Sequence, residues 1–385
     1  MNSEKTKKIS AEIMRVKGGA NAIATMTFDD GHPRTSAKLN ELLPKYKSRA
    51  SLMLYCRKSL STDEQISLWR DILAKGYLSC ENHSMTHDYL TSNPKYTDPA
   101  NLCEEKYIFE TKESLEKIRG AFPTQDVLSF TIPYANYVPD ARRHVMKTHY
   151  AALAGECVLV QPENYGKMQS LDPKVGNVET GETPEGTWHN VYYARLQPIY
   201  SVPREEGKAA IYPQLTMDNI IAYLDRCVRD GGWFITSCHG LYQGENQDLT
   251  EEQMEMLLQA MYKYVKENKL WVATFSEATK YIRERQNSSV TVTEADGAYL
   301  LTLSMNDKTP EGLPLDLRVP MPDGRERAVF DMPLTVRLNA DFECEKVKYT
   351  QGGRVYYSDV QRDENTKYAY LDIVPSGTEV RIEQA

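Results

Sequence analysis

Two short segments carry side chains able to act on a substrate. In Thr27-Phe28-Asp29-Asp30-Gly31 two carboxylates stand side by side at the end of an apolar run, and the glycine permits a sharp turn after them. Adjacent side chains in extended backbone point apart, so the pair can serve two partners, one an ion and the other a proton. That divergence speaks against a glycosidase pair, whose carboxylates must flank one bond. In Glu81-Asn82-His83-Ser84-Met85-Thr86-His87-Asp88-Tyr89-Leu90, His83 and His87 are four residues apart, and on one helical turn their rings would face the same way. Alone, the first segment reads as a solvated turn and the second as a helix surface. Both follow strand-like runs, at the end where active sites collect.

One aspartate with two histidines gives three protein ligands and leaves a coordination position open, as expected of a catalytic divalent metal rather than a closed structural one. Zinc is the first choice, with Co2+ or Ni2+ as substitutes. Such an ion lowers the pKa of water toward roughly 7 and polarises a carbonyl, which suits hydrolysis of an amide or ester.

The elements that would position these groups are legible along the chain. Strand-like runs occur at Ala22 to Phe28, Ala50 to Tyr55, Tyr77 to Cys80, Val127 to Thr131, Tyr150 to Ala154, Trp233 to Cys238 and Trp271 to Thr274. Helical patterns lie between most of them, at Thr35 to Tyr46, Thr62 to Lys75, Leu102 to Arg119, Asp218 to Arg229, Glu251 to Asn268 and Phe275 to Arg285. Strand then helix, repeated, predicts an α/β fold with a parallel sheet, open or closed into a barrel. About 156–213, Pro, Gly and Tyr replace periodicity, as in a functional insertion or small subdomain. From about 287 to 385 short alternating runs with Asp-Gly, Gly-Gly and Ser-Gly turns predict an all-β sandwich. The expected domains are 1–286, carrying the insertion, and 287–385.

Composition bounds the partners. Among 385 residues, 46 are Lys or Arg and 54 Asp or Glu, a net charge of −8 that would repel rather than grip a nucleic acid. No apolar run approaches the roughly 20 residues of a membrane-spanning helix. The lysine-rich start shows no secretory h-region, and the seven cysteines include no CxxC pair and read as mostly buried thiols. Neither a G-x-S-x-G elbow nor a phosphate-binding glycine loop is present.

Thr27-Phe28-Asp29-Asp30-Gly31 and His83-Ser84-Met85-Thr86-His87, in this order, resemble the first two motifs of the polysaccharide deacetylases, the NodB-homology domain of carbohydrate esterase family four. Thr131-Ile132-Pro133-Tyr134 and Ser237-Cys238-His239 look like later motifs, so the resemblance spans about Ala22 to Arg285. It implies a distorted (β/α) barrel of about seven strands and removal of acetyl groups from an acetylated carbohydrate, N-acetyl before O-acetyl. By motif, Asp29 would be the general base, Asp30, His83 and His87 the metal ligands, and His239 the general acid. Pro133 and the Tyr134 backbone N–H would meet the substrate oxyanion. Relatives often work outside the cytoplasm.

The chain departs from the family pattern in two ways. Thr131 stands where the family usually has the arginine that orients the catalytic aspartate, which leaves a carboxylate in want of a donor and makes Arg34 or Arg142 a substitute. No aspartate-tryptophan partner for His239 is evident after Ala154. The alternatives are a glycan-binding protein on the same barrel that has lost turnover, and an amidohydrolase acting on a small amide. Tyr165, Tyr192, Tyr193, Tyr200, Tyr212, Trp188 and His189 give the insertion rings suited to sugar faces or to simple packing.

Overall fold

The computed structural model describes residues 9–90, 102–135, 144–145, 147–154, 157–159, 167–170, 177–178, 190–195, 216–245, 248–310, 312–364 and 366–385, with backbone alone at 135, at 154 and through 157–195. The chain forms two compact units. One comprises Asn21–Thr279 and Arg318–Arg327, the other Met1–Ala20, Lys280–Leu317 and Ala328–Ala385. The sequence expectation set 1–286 apart from 287–385, whereas compactness groups the N-terminal residues and the end of the Phe275–Gln286 helix with the β unit.

The α/β unit is built on a half-barrel sheet. The strands Ala151–Ala154, Ser129–Thr131, Leu78–Asn82, Ala50–Leu54, Ala22–Asp29 and Trp233–Cys238 lie side by side in that order, every neighbouring pair parallel. All seven runs read from the sequence are strands, the seventh being Leu270–Val272. Ala22–Asp29 is buried along its whole length, as expected of a parallel strand covered on both faces, which is why it reads as an unbroken apolar run. Trp233–Cys238 occupies one edge of it, while the other edge is divided, Leu270–Val272 pairing at its start and Ala50–Leu54 at its end. That division distorts the barrel. Within the expected insertion, Asn190–Arg195 and Lys167–Ser170 continue the sheet in parallel beyond Trp233–Cys238. The aromatic side chains named there lie outside the described residues.

Amphipathic helices cover the sheet. Thr62 and Thr250 open Asp63–Leu73 and Glu251–Lys266 with capping boxes closed by Gln65 and Gln253. Leu39, Trp69, Ile118, Leu224, Leu257 and Leu258 join the strand residues in one core. The expected helix Leu102 to Arg119 contains a π-helical stretch, Phe109–Glu113, between Glu104–Ile108 and Ser114–Ala121. Glu81 is a buried carboxylate that accepts from Leu128 N, Ser129 N, Ser129 Oγ, Ser276 N and Ser79 Oγ, so one side chain ties two strands to the start of the last helix. No described helix is long and apolar enough to cross a membrane. Cys56, Cys80, Cys227 and Cys238 are buried thiols, while Cys103 is exposed.

His149 links this core to pH. Its Nε2 lies 3.1 Å from Asn82 Nδ2 and its Nδ1 2.9 Å from Thr148 Oγ1. Burial, helped by the charge of Arg119, pushes it down to about 3. A histidine held neutral in the fold protonates first in the unfolded chain, so its stability is present above about pH 6.5 and is lost as pH falls toward the folded value. Lowering the pH from 7 to 5 is expected to cost about 2 kcal/mol through this group, read from urea midpoints at the two pH values. His149→Gln should flatten that dependence, and an unchanged slope in the variant would rule the group out.

The β unit is a single antiparallel path of eight strands. The short alternating runs expected from about 287 to 385 include the strands Ser288–Ala295, Ala298–Met305, Leu334–Asn339, Lys346–Gln351, Arg354–Arg362, Lys367–Ile373 and Glu379–Gln384, and Ser10–Ile13 joins them by pairing with Leu334–Asn339.

Candidate metal centre and active site

Because the strands Ala22–Asp29, Leu78–Asn82, Ser129–Thr131 and Trp233–Cys238 run parallel, their carboxyl ends lie along one rim. Asp29 ends the first, His83 follows the second, the Ile132-Pro133-Tyr134 turn follows the third, and His239 follows the fourth.

Asp30 leaves its strand at φ 68°, followed by Gly31 at φ 66°. A Cβ at Gly31 would lie 2.7 Å from Leu54 Cδ2 and 2.8 Å from Ser59 Oγ, so both conformation and space require glycine. The turn brings Asp30 Oδ1 to 3.1 Å from His87 Nε2 and 3.6 Å from His83 Nε2, and the two Nε2 atoms are 3.1 Å apart. Asp30, His83 and His87 thus present ligand atoms that all lie within 4.8 Å of one another. His83 Nδ1 donates to the Thr131 carbonyl at 2.7 Å, which fixes the tautomer and leaves Nε2 to coordinate. Burial opposes the charge on Asp30, but hydrogen bonds from His83 and His87 outweigh it and hold the carboxyl far below its usual range. For His83, burial pulls downward and the Asp30 hydrogen bond with the charges of Asp29 and Asp30 pushes upward, with a net rise. A negative pocket that raises imidazole basicity fits a divalent cation equally well.

The two histidines do not share a helical turn, which corrects the expectation from their spacing. The segment after Asn82 is a loop with Ser84 at φ 80° and His87 at φ 63°. Its polar groups are closed locally: Asn82 Oδ1 accepts from Ser84 N at 2.9 Å, and Ser84 Oγ accepts from His87 N at 2.9 Å. Glu110, buried on the π-helical stretch, accepts from Met85 N and Thr86 N at 3.0 Å and from Thr86 Oγ1 at 2.5 Å. Nothing in the sequence around Glu110 marks it. It clamps the peptides between the histidines, so Glu110→Ala should weaken zinc affinity by about 10- to 100-fold, the usual cost of an outer-shell partner. A zinc titration against a competing chelator measures it, and an unchanged affinity would reduce Glu110 to packing.

Asp29 takes Ser237 Oγ–H on Oδ2 at 3.2 Å, while its buried Oδ1 has no hydrogen-bond partner. Ser237 thus supplies the donor sought at the missing arginine. Arg34 does not, since its guanidinium lies over the Tyr242 ring, 3.6 Å from the centroid. Arg142 lies outside the described residues. Thr131 is buried with Oγ1 unpartnered.

His239 has the partner the sequence did not reveal. Asp248 Oδ2 lies 2.9 Å from His239 Nδ1 and also accepts from the His239 backbone N–H. Burial pulls His239 down, but the Asp248 hydrogen bond and the charges of Asp29, Asp248 and Asp30 hold it above the usual histidine range. The only available signal was an aspartate shortly before the Thr250 cap, too general to single out. Pro133 is buried, and Tyr134 sits at φ 59° with its ring 47% exposed, stacked on Tyr89 at 3.8 Å and 4.7 Å from His87. Tyr55 closes the other side of His87 at 5.0 Å.

Comparison with known proteins agrees with the motif resemblance. Residues 17–153 match the family model described as polysaccharide deacetylase. Over 363 residues, 93% of its length, it is 23% identical to a gellan lyase from Bacillus sp, of which it spans only 12%. Among solved structures it is similar to a family 4 carbohydrate esterase from Streptomyces lividans in complex with acetate, at 14% identity over 66% of this chain and 93% of that one, TM-score 0.39. The peptidoglycan deacetylase PdaC from Bacillus subtilis is 14% identical over 69% of this chain and 92% of its own, TM-score 0.37. A family 4 acetyl xylan esterase from Clostridium thermocellum, in complex with cobalt, is 15% identical over 66% and 89%, TM-score 0.37.

Proposed function

We propose that the chain is a metal-dependent hydrolase that removes acetyl groups from an acetylated polysaccharide or oligosaccharide, N-acetyl in preference to O-acetyl. The observation that carries this reading is the convergence of Asp30, His83 and His87 on one point, on the same rim as Asp29 and the Asp248-paired His239. Asp30, His83 and His87 would hold the ion, Zn2+ first, with Co2+ or Ni2+ as substitutes. Bound there, it supplies Lewis acidity toward water and the acyl oxygen.

The remaining chemistry belongs to the chain. Asp29, steadied through Oδ2 by Ser237, takes the proton of the attacking water on its free Oδ1. His239, whose basicity the Asp248 hydrogen bond and the surrounding carboxylates raise against the effect of burial, gives a proton to the departing amine or alkoxide as the acyl bond breaks and acetate leaves. Pro133 and the Tyr134 backbone N–H border the acyl oxygen in this reading. The preference for N-acetyl follows the commoner activity of the family.

Acetate release tests this reading, with an N-acetylated chito-oligosaccharide and an O-acetylated xylan as substrates. Release is expected from the first at the higher rate, with loss in chelator and recovery on adding zinc. Binding of both glycans by zinc-loaded protein without acetate would overturn it in favour of a binding module, and acetate from small amides alone would replace the substrate.

A further inference from the structure

The β unit contains a cleft of about 420 Å³, within the size range of ligand sites. Its origin lies in the strand register. Arg354–Arg362 pairs with Lys346–Gln351 through residues 354–359, then with Lys367–Ile373 only through residues 360–362. The first half of one strand and the second half of the next therefore part company, and the cleft opens between them.

The edge left by this parting is closed by side chains. Ser358 Oγ donates to Tyr370 O at 2.6 Å, the Tyr349 hydroxyl accepts from Asp372 N at 3.2 Å, and the Gln351 amide bonds both Val374 N and Val374 O, at 3.2 and 3.1 Å. With these backbone groups taken, an added peptide strand finds no ladder to join on the Lys367–Ile373 side. What the cleft offers is aromatic. Tyr356, 38% exposed, stacks on buried Tyr349 at 5.2 Å, Tyr357 is 64% exposed, and the Tyr370 ring is pinned from behind by Gly19, where a Cβ would lie 2.6 Å from it. Asp372, fixed by Thr335 at 2.5 Å, adds an acceptor to the lining. Val355, Tyr356 and Tyr357 make three consecutive exposed apolar residues beside the cleft, on the stretch of strand paired on one side only, a patch of the kind that marks an interaction site.

We propose that this cleft binds a neutral glycan chain. Amphipathic rings with a fixed carboxylate suit the apolar faces and hydroxyl edges of sugar rings. The lining disfavours polyanions, because it contains the Asp372 carboxylate and no basic side chain. The inference goes beyond the deacetylase reading and stands without it.

The test is affinity electrophoresis of the full chain in gels cast with hydroxyethyl cellulose or de-acetylated neutral xylan, with dextran sulfate as the polyanion. Retardation in a neutral gel is expected, with the Tyr356→Ala/Tyr357→Ala double variant weakened at least about tenfold, since stacked aromatic contacts carry such binding. Both rings are exposed, and an unchanged circular dichroism spectrum confirms that the variant folds. His83→Ala should be retarded like the parent, which separates this cleft from the deacetylase reading. Equal retardation of the double variant, no retardation in either neutral gel, or retardation in dextran sulfate alone would each overturn the proposal.

Discussion

His83→Ala is expected to lose both the bound ion and acetate release. The ring joins the site at two points, with Nδ1 on the Thr131 carbonyl and Nε2 beside Asp30 and His87. Alanine leaves two ligands where three converged. A catalytic ion supplies several kcal/mol of transition-state stabilisation, and at 1.36 kcal/mol per tenfold the rate should fall by about a thousandfold or more. Elemental analysis of the purified variant beside the parent, with acetate release from the same samples, measures both effects. A variant that keeps its ion and its rate would remove His83 from the site.

Asp29→Asn should separate what the first variant removes together. The amide has nearly the shape of the carboxylate and can still accept from Ser237, so ion content should be preserved. It cannot take a proton, and turnover should fall by about 10²- to 10⁴-fold, the range for general base catalysis. Parallel loss of ion and activity would show that both aspartates are ligands and would end the division of labour between them. Retained turnover would move the base elsewhere on the rim.

Much of this was open to a reader of the sequence, for physical reasons. Parallel strands covered on both faces appear as apolar runs, and Ala22–Asp29 and Trp233–Cys238 were read to within one residue of their ends. The helices Asp63–Leu73 and Glu251–Lys266 were legible as helical patterns, and their capping boxes at Thr62 and Thr250 lie at the starts of those patterns. Ser10–Ile13 did not, because four residues carry little alternation and its partner Leu334–Asn339 lies more than three hundred positions away. At the site, the residue types were legible and the supports were not. Spacing suggested a helical turn for His83 and His87, whereas positive-φ positions and Glu110 bring the rings together in a loop. Asp248 and Ser237 replace expected partners from places where a polar residue is ordinary. Long-range hydrogen bonds leave no periodic trace in a sequence.

Asp30, Ser84, His87 and Tyr134 all occupy the left-handed backbone region, a conformation that residues other than glycine hold only where their surroundings insist. Neither motif, cut out as a free peptide, would keep that geometry. On the proposed reading, seizing a cation and remaining folded are therefore coupled in this chain: loosening the rim should weaken the chelate, and filling the chelate should resist unfolding.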